Sequence, residues 1–208
     1  IGYDYVTING GDGDDRITSS YSHISINGGA GNDRIDFLGY SSNGSMQSKD
    51  VTIEGGNGDD RISASFITKG TIDGGAGNDT IDSPYGNLHK ILFNGGEGND
   101  SIVNSSGSNM TISGGLGNDT MTGAEKYGDV FVYNYGDGHD VITNFSANDT
   151  LYTNADIDHV SVKGDDLIIS FYGNDHNING SITLKNAART PIKTNYYVLR
   201  SYLSATEN

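Results

Sequence analysis

Seven aspartates, Asp15, Asp33, Asp60, Asp79, Asp100, Asp119 and Asp140, each close a short glycine-rich stretch with the same internal spacing. Six of these stretches share one template, Gly10-Gly11-Asp12-Gly13-Asp14-Asp15 and its equivalents at 28–33, 55–60, 74–79, 95–100 and 114–119. A seventh, degenerate copy reads Tyr135-Gly136-Asp137-Gly138-His139-Asp140. One carboxylate per repeat, set among backbone carbonyls, is a donor set for a hard cation. Calcium takes six to eight oxygen ligands in flexible geometry, whereas magnesium demands near-ideal octahedra and zinc favours nitrogen or sulfur. Calcium is therefore the ion these residues fit. The residues just before the aspartates, Asp14, Asn32, Asp59, Asn78, Asn99, Asn118 and His139, read as turn-shaping rather than as direct ligands. An EF-hand reading is weaker, because its twelve-residue loop with a closing Glu is absent.

Such a row requires elements that hold the aspartates at regular intervals. Two residues after each comes an apolar residue: Ile17, Ile35, Ile62, Ile81, Ile102, Met121 and Ile142. Two residues before each template comes another: Ile8, Ile26, Ile53, Ile72, Phe93, Ile112 and Tyr133. Most copies add a further one two positions earlier, as in Val6, Ile24, Val51, Ile91, Met110 and Phe131. Alternation with period two is the pattern of a strand with one buried face. Each unit is thus strand, glycine-rich turn, strand. One unit cannot bury its apolar face alone, but stacked units share a continuous core.

Successive templates start 18, 27, 19, 21, 19 and 21 residues apart. A coil of two strands and two turns takes about 18 residues, so nearly every step is one full coil and all Gly-Asp turns share an edge. The 27-residue step is either an extra half-coil or a surface loop around Gly39 to Ser48. The turn-rich run Ser41-Ser42-Asn43-Gly44-Ser45 favours the loop. Neighbouring coils sit about 4.8 Å apart, where two carboxylates repel by about 0.9 kcal/mol in water and fourfold more at an effective dielectric near 20. A row of cations between the turns removes that repulsion. Seven turns leave about six gaps, hence about six calcium ions in one row.

The template Gly-Gly-x-Gly-x-Asp-x-apolar-x resembles the RTX (repeats-in-toxin) calcium-binding nonapeptide over about residues 5 to 145. The resemblance implies an all-β fold, a right-handed parallel β-roll of about seven coils. Only every other half-coil keeps the motif here, so one calcium row is implied where uninterrupted repeats have two. It also implies a secreted bacterial protein, passed unfolded through type I secretion machinery and folded by calcium outside the cell. Two regions are expected: repeats over 1–143 and a small antiparallel β cap over 144–208. In the cap, 160–162 and 167–171 flank Lys163-Gly164-Asp165-Asp166 as a hairpin, with further strands at 181–184 and 196–199. The segment 201–208 falls where the family often carries its secretion signal.

Composition narrows the classes. The net charge of −15 disfavours nucleic acid and anionic membranes. No apolar run reaches the roughly 18 residues of a membrane helix. Residues 1–8 do not read as a signal peptide, and the pattern opens mid-repeat, as in a monomeric module of a longer chain. Without cysteine there is no disulfide framework. Neither a His-Glu-x-x-His motif nor a Gly-x-Ser-x-Gly elbow is present, and the five histidines are scattered. Paired carboxylates also serve glycosidases, and the ladder alone does not separate that reading from calcium binding. No enzyme is expected. A surface for ice or carbohydrate is the alternative. The third template position, Asp12, Ala30, Asn57, Ala76, Glu97, Leu116 and Asp137, forms no regular array suited to ice. The 13 tyrosines are the feature favouring sugar, although many fall in the cap, where packing accounts for them equally well.

Overall fold

The computed structural model describes residues 5–39, 48–86, 88–125, 127–172 and 178–194. It is an all-β parallel roll made of two facing sheets. One sheet runs from Val6–Asp12 through Ile24–Ala30, Ser48–Asn57, Ile67–Ala76, Ile91–Glu97, Thr111–Leu116, Val130–Tyr133 and Thr150–Thr153 to Lys193–Thr194. The other begins at Arg16–Ser19 and passes through Arg34–Leu38, Arg61–Ser65, Thr80–Ser83, Ser101–Asn104 and Thr120–Thr122 to His139–Thr143 and Ile178–Leu184. The chain alternates between the sheets, so each coil contributes one strand to each. Every glycine template turns along one edge, and the remaining connections form the opposite, back edge.

The alternation read in the sequence is the core. Ile26, Ile53, Ile72, Phe93 and Ile112 stack in register from one sheet, Ile35, Ile62, Ile81, Ile102 and Met121 from the other, and all are buried. Fully burying side chains of this size contributes about 1.5–3 kcal/mol each. The 27-residue step is a single coil, because Ile26 pairs with Ile53 and Ile35 with Ile62 without an intervening strand. Its additional residues lie between Leu38 and Ser48 in the chain, and positions 40–47, where the surface loop is expected, lie outside the described residues.

The seventh copy departs from the sequence alignment. Ile112 pairs with Phe131, not with Tyr133, although on the far side of the turn Met121 still pairs with Ile142. Two extra residues are therefore accommodated within the turn. Tyr133 still points inward, where its hydroxyl donates to the Gly138 carbonyl at 2.9 Å and its ring stacks on Phe171 with centroids 4.3 Å apart.

Beyond residue 143 parallel pairing continues through Val130 with Thr150, Asp140 with Ile182 and Thr150 with Lys193. Ile157–Lys163 and Asp166–Tyr172 form the expected hairpin, and its second strand pairs antiparallel with Ile178–Leu184. The strand expected at 196–199 and the segment 201–208 lie outside the described residues. Among the described residues no helix is long and apolar enough to cross a membrane.

Candidate metal-binding edge

All seven aspartates of the sequence row stand on the glycine edge, one per coil, linked coil to coil. In the six from Asp33 to Asp140, Oδ1 accepts the backbone N–H of the preceding coil's aspartate. Asp15 N–H donates to Asp33 at 2.8 Å, Asp33 to Asp60, Asp60 to Asp79 and Asp79 to Asp100 at 2.7 Å each, Asp100 to Asp119 at 2.8 Å and Asp119 to Asp140 at 3.0 Å. The residues one position earlier form a second ladder of opposite sense. Here the side-chain oxygens of Asp14, Asn32, Asp59, Asn78, Asn99 and Asn118 accept the N–H of the next coil's equivalent residue, at 2.7–2.9 Å. These side chains tie each turn to the next.

The second oxygen of each aspartate in the first ladder is left over. Oδ2 of Asp15, Asp33, Asp60, Asp79, Asp100, Asp119 and Asp140 is buried and has no hydrogen-bond partner. An orphaned buried carboxylate oxygen is strongly unfavourable unless a cation or proton meets it. From Asp15 to Asp119 each Oδ2 faces the first glycine of its own template, whereas the seventh copy has Tyr135 at that position. A Cβ added at Gly28 would lie under 3.0 Å from both Asp33 Oδ2 and the Gly55 carbonyl oxygen. The same two kinds of oxygen converge at Gly10, Gly55, Gly74 and Gly95; at Gly114 Asp119 Oδ2 does so. Glycine is required there because any side chain would fill a cradle lined by oxygen.

The electrostatics agree. Burial raises the carboxyls of Asp60 and Asp100 to about 6, of Asp79 to about 7 and of Asp140 to about 8, and raises Asp119 as well. The N–H received by each opposes this shift, while neighbouring carboxylates add to it at Asp60, Asp79, Asp100 and Asp140. No three acidic or imidazole side chains gather around one point among the described residues. A cation here must complete its shell from backbone carbonyls, which is calcium's habit. The donor set therefore fits calcium.

Three buried aspartates escaped the sequence reading as members of the site's surroundings. Asp137 stands at the third template position, where the widened seventh turn buries it, and its Oδ2 accepts the Asn134 N–H at 2.6 Å. Burial raises it to about 6. On the back edge, Asp129 and Asp149 pair in register with each other and with Met110, because Thr111 pairs with Val130 and Val130 with Thr150. Asp129 receives the N–H groups of Met110 and Ala124 and the amide of Asn104. Asp149 receives those of Asp129 and Ser146. Neither carboxylate has an orphaned oxygen, which separates these structural carboxylates from the seven on the glycine edge.

A parallel all-β roll with one carboxylate row along a glycine edge defines a class, the calcium-binding β-roll. The model of the RTX calcium-binding nonapeptide repeat (four copies) matches residues 2–20, 25–38, 48–66, 71–83, 92–110 and 111–125, and the chain belongs to that family. A comparison with curated proteins finds no match. Among solved structures the chain is similar to the extracellular lipase LipA from Serratia marcescens, with TM-score 0.41 and 17% identity, over 89% of this chain and 38% of the lipase.

Proposed function

We propose that this roll is a calcium-triggered folding module of a larger secreted bacterial protein, with Asp15, Asp33, Asp60, Asp79, Asp100, Asp119 and Asp140 supplying the carboxylates. The observation that carries the reading is the row of seven buried Oδ2 atoms without a partner. Calcium supplies the positive charge that these oxygens lack. The chain's own part is to hold each carboxylate by an N–H from the neighbouring coil and to keep side chains out of the cradle. Adjacent coils are thereby joined only where their turns stack in register. About six gaps separate the seven turns, giving about six ions in one row. With an affinity near 100 μM and about 1 mM calcium outside the cell, each site stabilises the fold by about 1.4 kcal/mol, or about 8 kcal/mol for six. That matches the whole stability of a typical domain. At the low calcium of a cytoplasm this stabilisation vanishes, which suits export of an unfolded chain by a type I apparatus. Residues 144–208 serve as the cap that covers the end of the roll, and the module acts as a monomer.

The test is far-ultraviolet circular dichroism during a calcium titration from a chelated sample, with magnesium as control. A coil-to-β transition between roughly 0.1 and 1 mM calcium, absent with magnesium, is the expected result. A chelated chain that is already fully folded would sink the proposal.

A further inference from the structure

The back edge carries a feature that calcium binding does not use. Tyr5, Tyr21, Tyr85 and Tyr127 all stand on this edge, each at least half exposed. Tyr5 packs edge-on against His23, with ring centroids 5.6 Å apart; burial in the core accounts for none of the four. Beside Tyr127 the back turns of two successive coils, at Ser105 and Ser106 and at Gly123 to Glu125, border a cavity of about 450 Å³. That volume is within the range of small-molecule sites. Its walls include Ser105, Ser106, Thr122, Glu125, Tyr127 and Asn144.

The floor is a fixed polar network. Asn104 is fully buried; its amide nitrogen donates to Asp129 Oδ2 at 2.9 Å, and its Oδ1 accepts the Gly107 N–H at 2.7 Å. Asp129 also takes the N–H of Ala124, so the two turns are tied to one buried pair. A cavity held in this way is preorganised, and its occupant need not order it.

We propose that this cavity binds a neutral saccharide unit, with the Tyr127 ring as its stacking platform. The lining chemistry selects that class. Hydroxyl groups both donate and accept, an amide does so through separate atoms, and an ionised carboxylate accepts only. Together they match a polyol whose hydroxyls need partners of both kinds. The apolar body of a tyrosine offers the face against which a sugar's C–H face packs, and its hydroxyl stays wet. A hydrocarbon ligand would call for predominantly apolar walls. The cavity lies on the edge opposite the aspartate row, so metal and sugar do not compete. Tyr85 belongs to the back edge two coils earlier, about 10 Å along the stack at the spacing of paired strands. A longer glycan running along this edge therefore meets a second ring.

The test uses the calcium-loaded 208-residue chain and four probes: methyl α-glucoside, methyl β-galactoside, methyl α-mannoside and N-acetylglucosamine. Saturation-transfer difference NMR should show transfer to the ring protons of at least one probe. Tyr127→Ala should weaken that probe's binding by about tenfold or more, equivalent to about 1.4 kcal/mol. Tyr127→Phe, which keeps the ring, should leave it nearly unchanged, as should Tyr21→Ala. Glu125→Ala is a second exposed change that should weaken binding without touching the core. Transfer to none of the four probes overturns the proposal, and so does full affinity in Tyr127→Ala. The proposal is independent of the calcium-triggered switch, because a chain that folds without calcium would still present this cavity.

Discussion

From Asp33 to Asp140 each aspartate of the orphaned row has one oxygen committed to the fold and one without a partner, and this division makes their charge condition-dependent. Asp79 illustrates it. Its Oδ1 accepts the Asp60 N–H, its Oδ2 is orphaned, and burial raises its carboxyl to about 7. Without metal the negative charge is a burden, while beside a bound cation it becomes an asset. Asp79→Asn keeps an acceptor for Asp60 and removes the charge. In chelator at pH 8 the substitution should therefore leave the chain no less folded than the wild type. In calcium it should raise the midpoint of the folding titration by about 1.6-fold, because the five remaining sites must together make up the roughly 1.4 kcal/mol of the one lost. Circular dichroism measures both. An unchanged calcium midpoint would remove Asp79 from the ligand set. The same division explains what could be read from sequence. A carboxylate recurring at fixed distance from glycines is visible in one dimension. The Oδ1 partner is visible only once the coil register is known, since it lies 18 to 27 residues away.

At the scale of strands, the roll works because one face of every strand repeats the same size and polarity. That regularity made the core legible, from Ile26 and Ile35 through Ile112 and Met121. It fails where the structure changes its rule. Asp129 occupies the row that holds Ile24, Val51, Ile91 and Met110 in earlier coils, and Asp149 follows it. A buried aspartate in an apolar row cannot be anticipated from alternation, because its partners come from Asn104, Met110 and Ala124 through the fold. The seventh turn misled for a related reason: its two extra residues preserve the Gly-x-Gly-x-Asp spacing while moving Tyr133 past its expected partner. The antiparallel strands past the roll were legible because a Lys-Gly-Asp-Asp turn between two apolar alternations needs no long-range information. Tyr133 and Phe171 tie the last glycine-edge turn to the antiparallel hairpin, stacked and almost fully buried. Phe171→Ala should destabilise the calcium-loaded protein by about 3–5 kcal/mol, read as a lower thermal midpoint and a higher calcium midpoint. If the thermal midpoint hardly moves, the hairpin is not stabilising the end of the roll.

The whole molecule carries a net charge of −15 and concentrates part of it along one buried row. Protons and calcium are then alternative occupants of the same oxygens, and their effects on folding have opposite signs. In the metal-free roll burial raises Asp60, Asp100 and Asp137 to about 6, Asp79 to about 7 and Asp140 to about 8. The ordinary carboxyl value near 3.9 holds in the unfolded chain. The folded state therefore binds more protons between these limits, so its stability is greatest below about pH 4 and falls as pH rises through 6 to 8. Acid also reduces the repulsion among the remaining carboxylates, which acts in the same direction. In chelator, shifting from pH 8 to pH 5 should increase the β-sheet signal without any metal. With calcium present the dependence reverses, because a bound cation requires the ionised carboxylate and acid displaces it. The calcium midpoint should accordingly move to higher calcium as pH falls from 8 to 6. Two series of circular dichroism titrations, one in chelator across pH and one in calcium at each pH, measure both slopes. Slopes of the same sign would mean that the carboxylate row is not where calcium acts. Opposite slopes would place the switch on the orphaned oxygens, since the groups that gain a proton in one series are those that must lose it in the other.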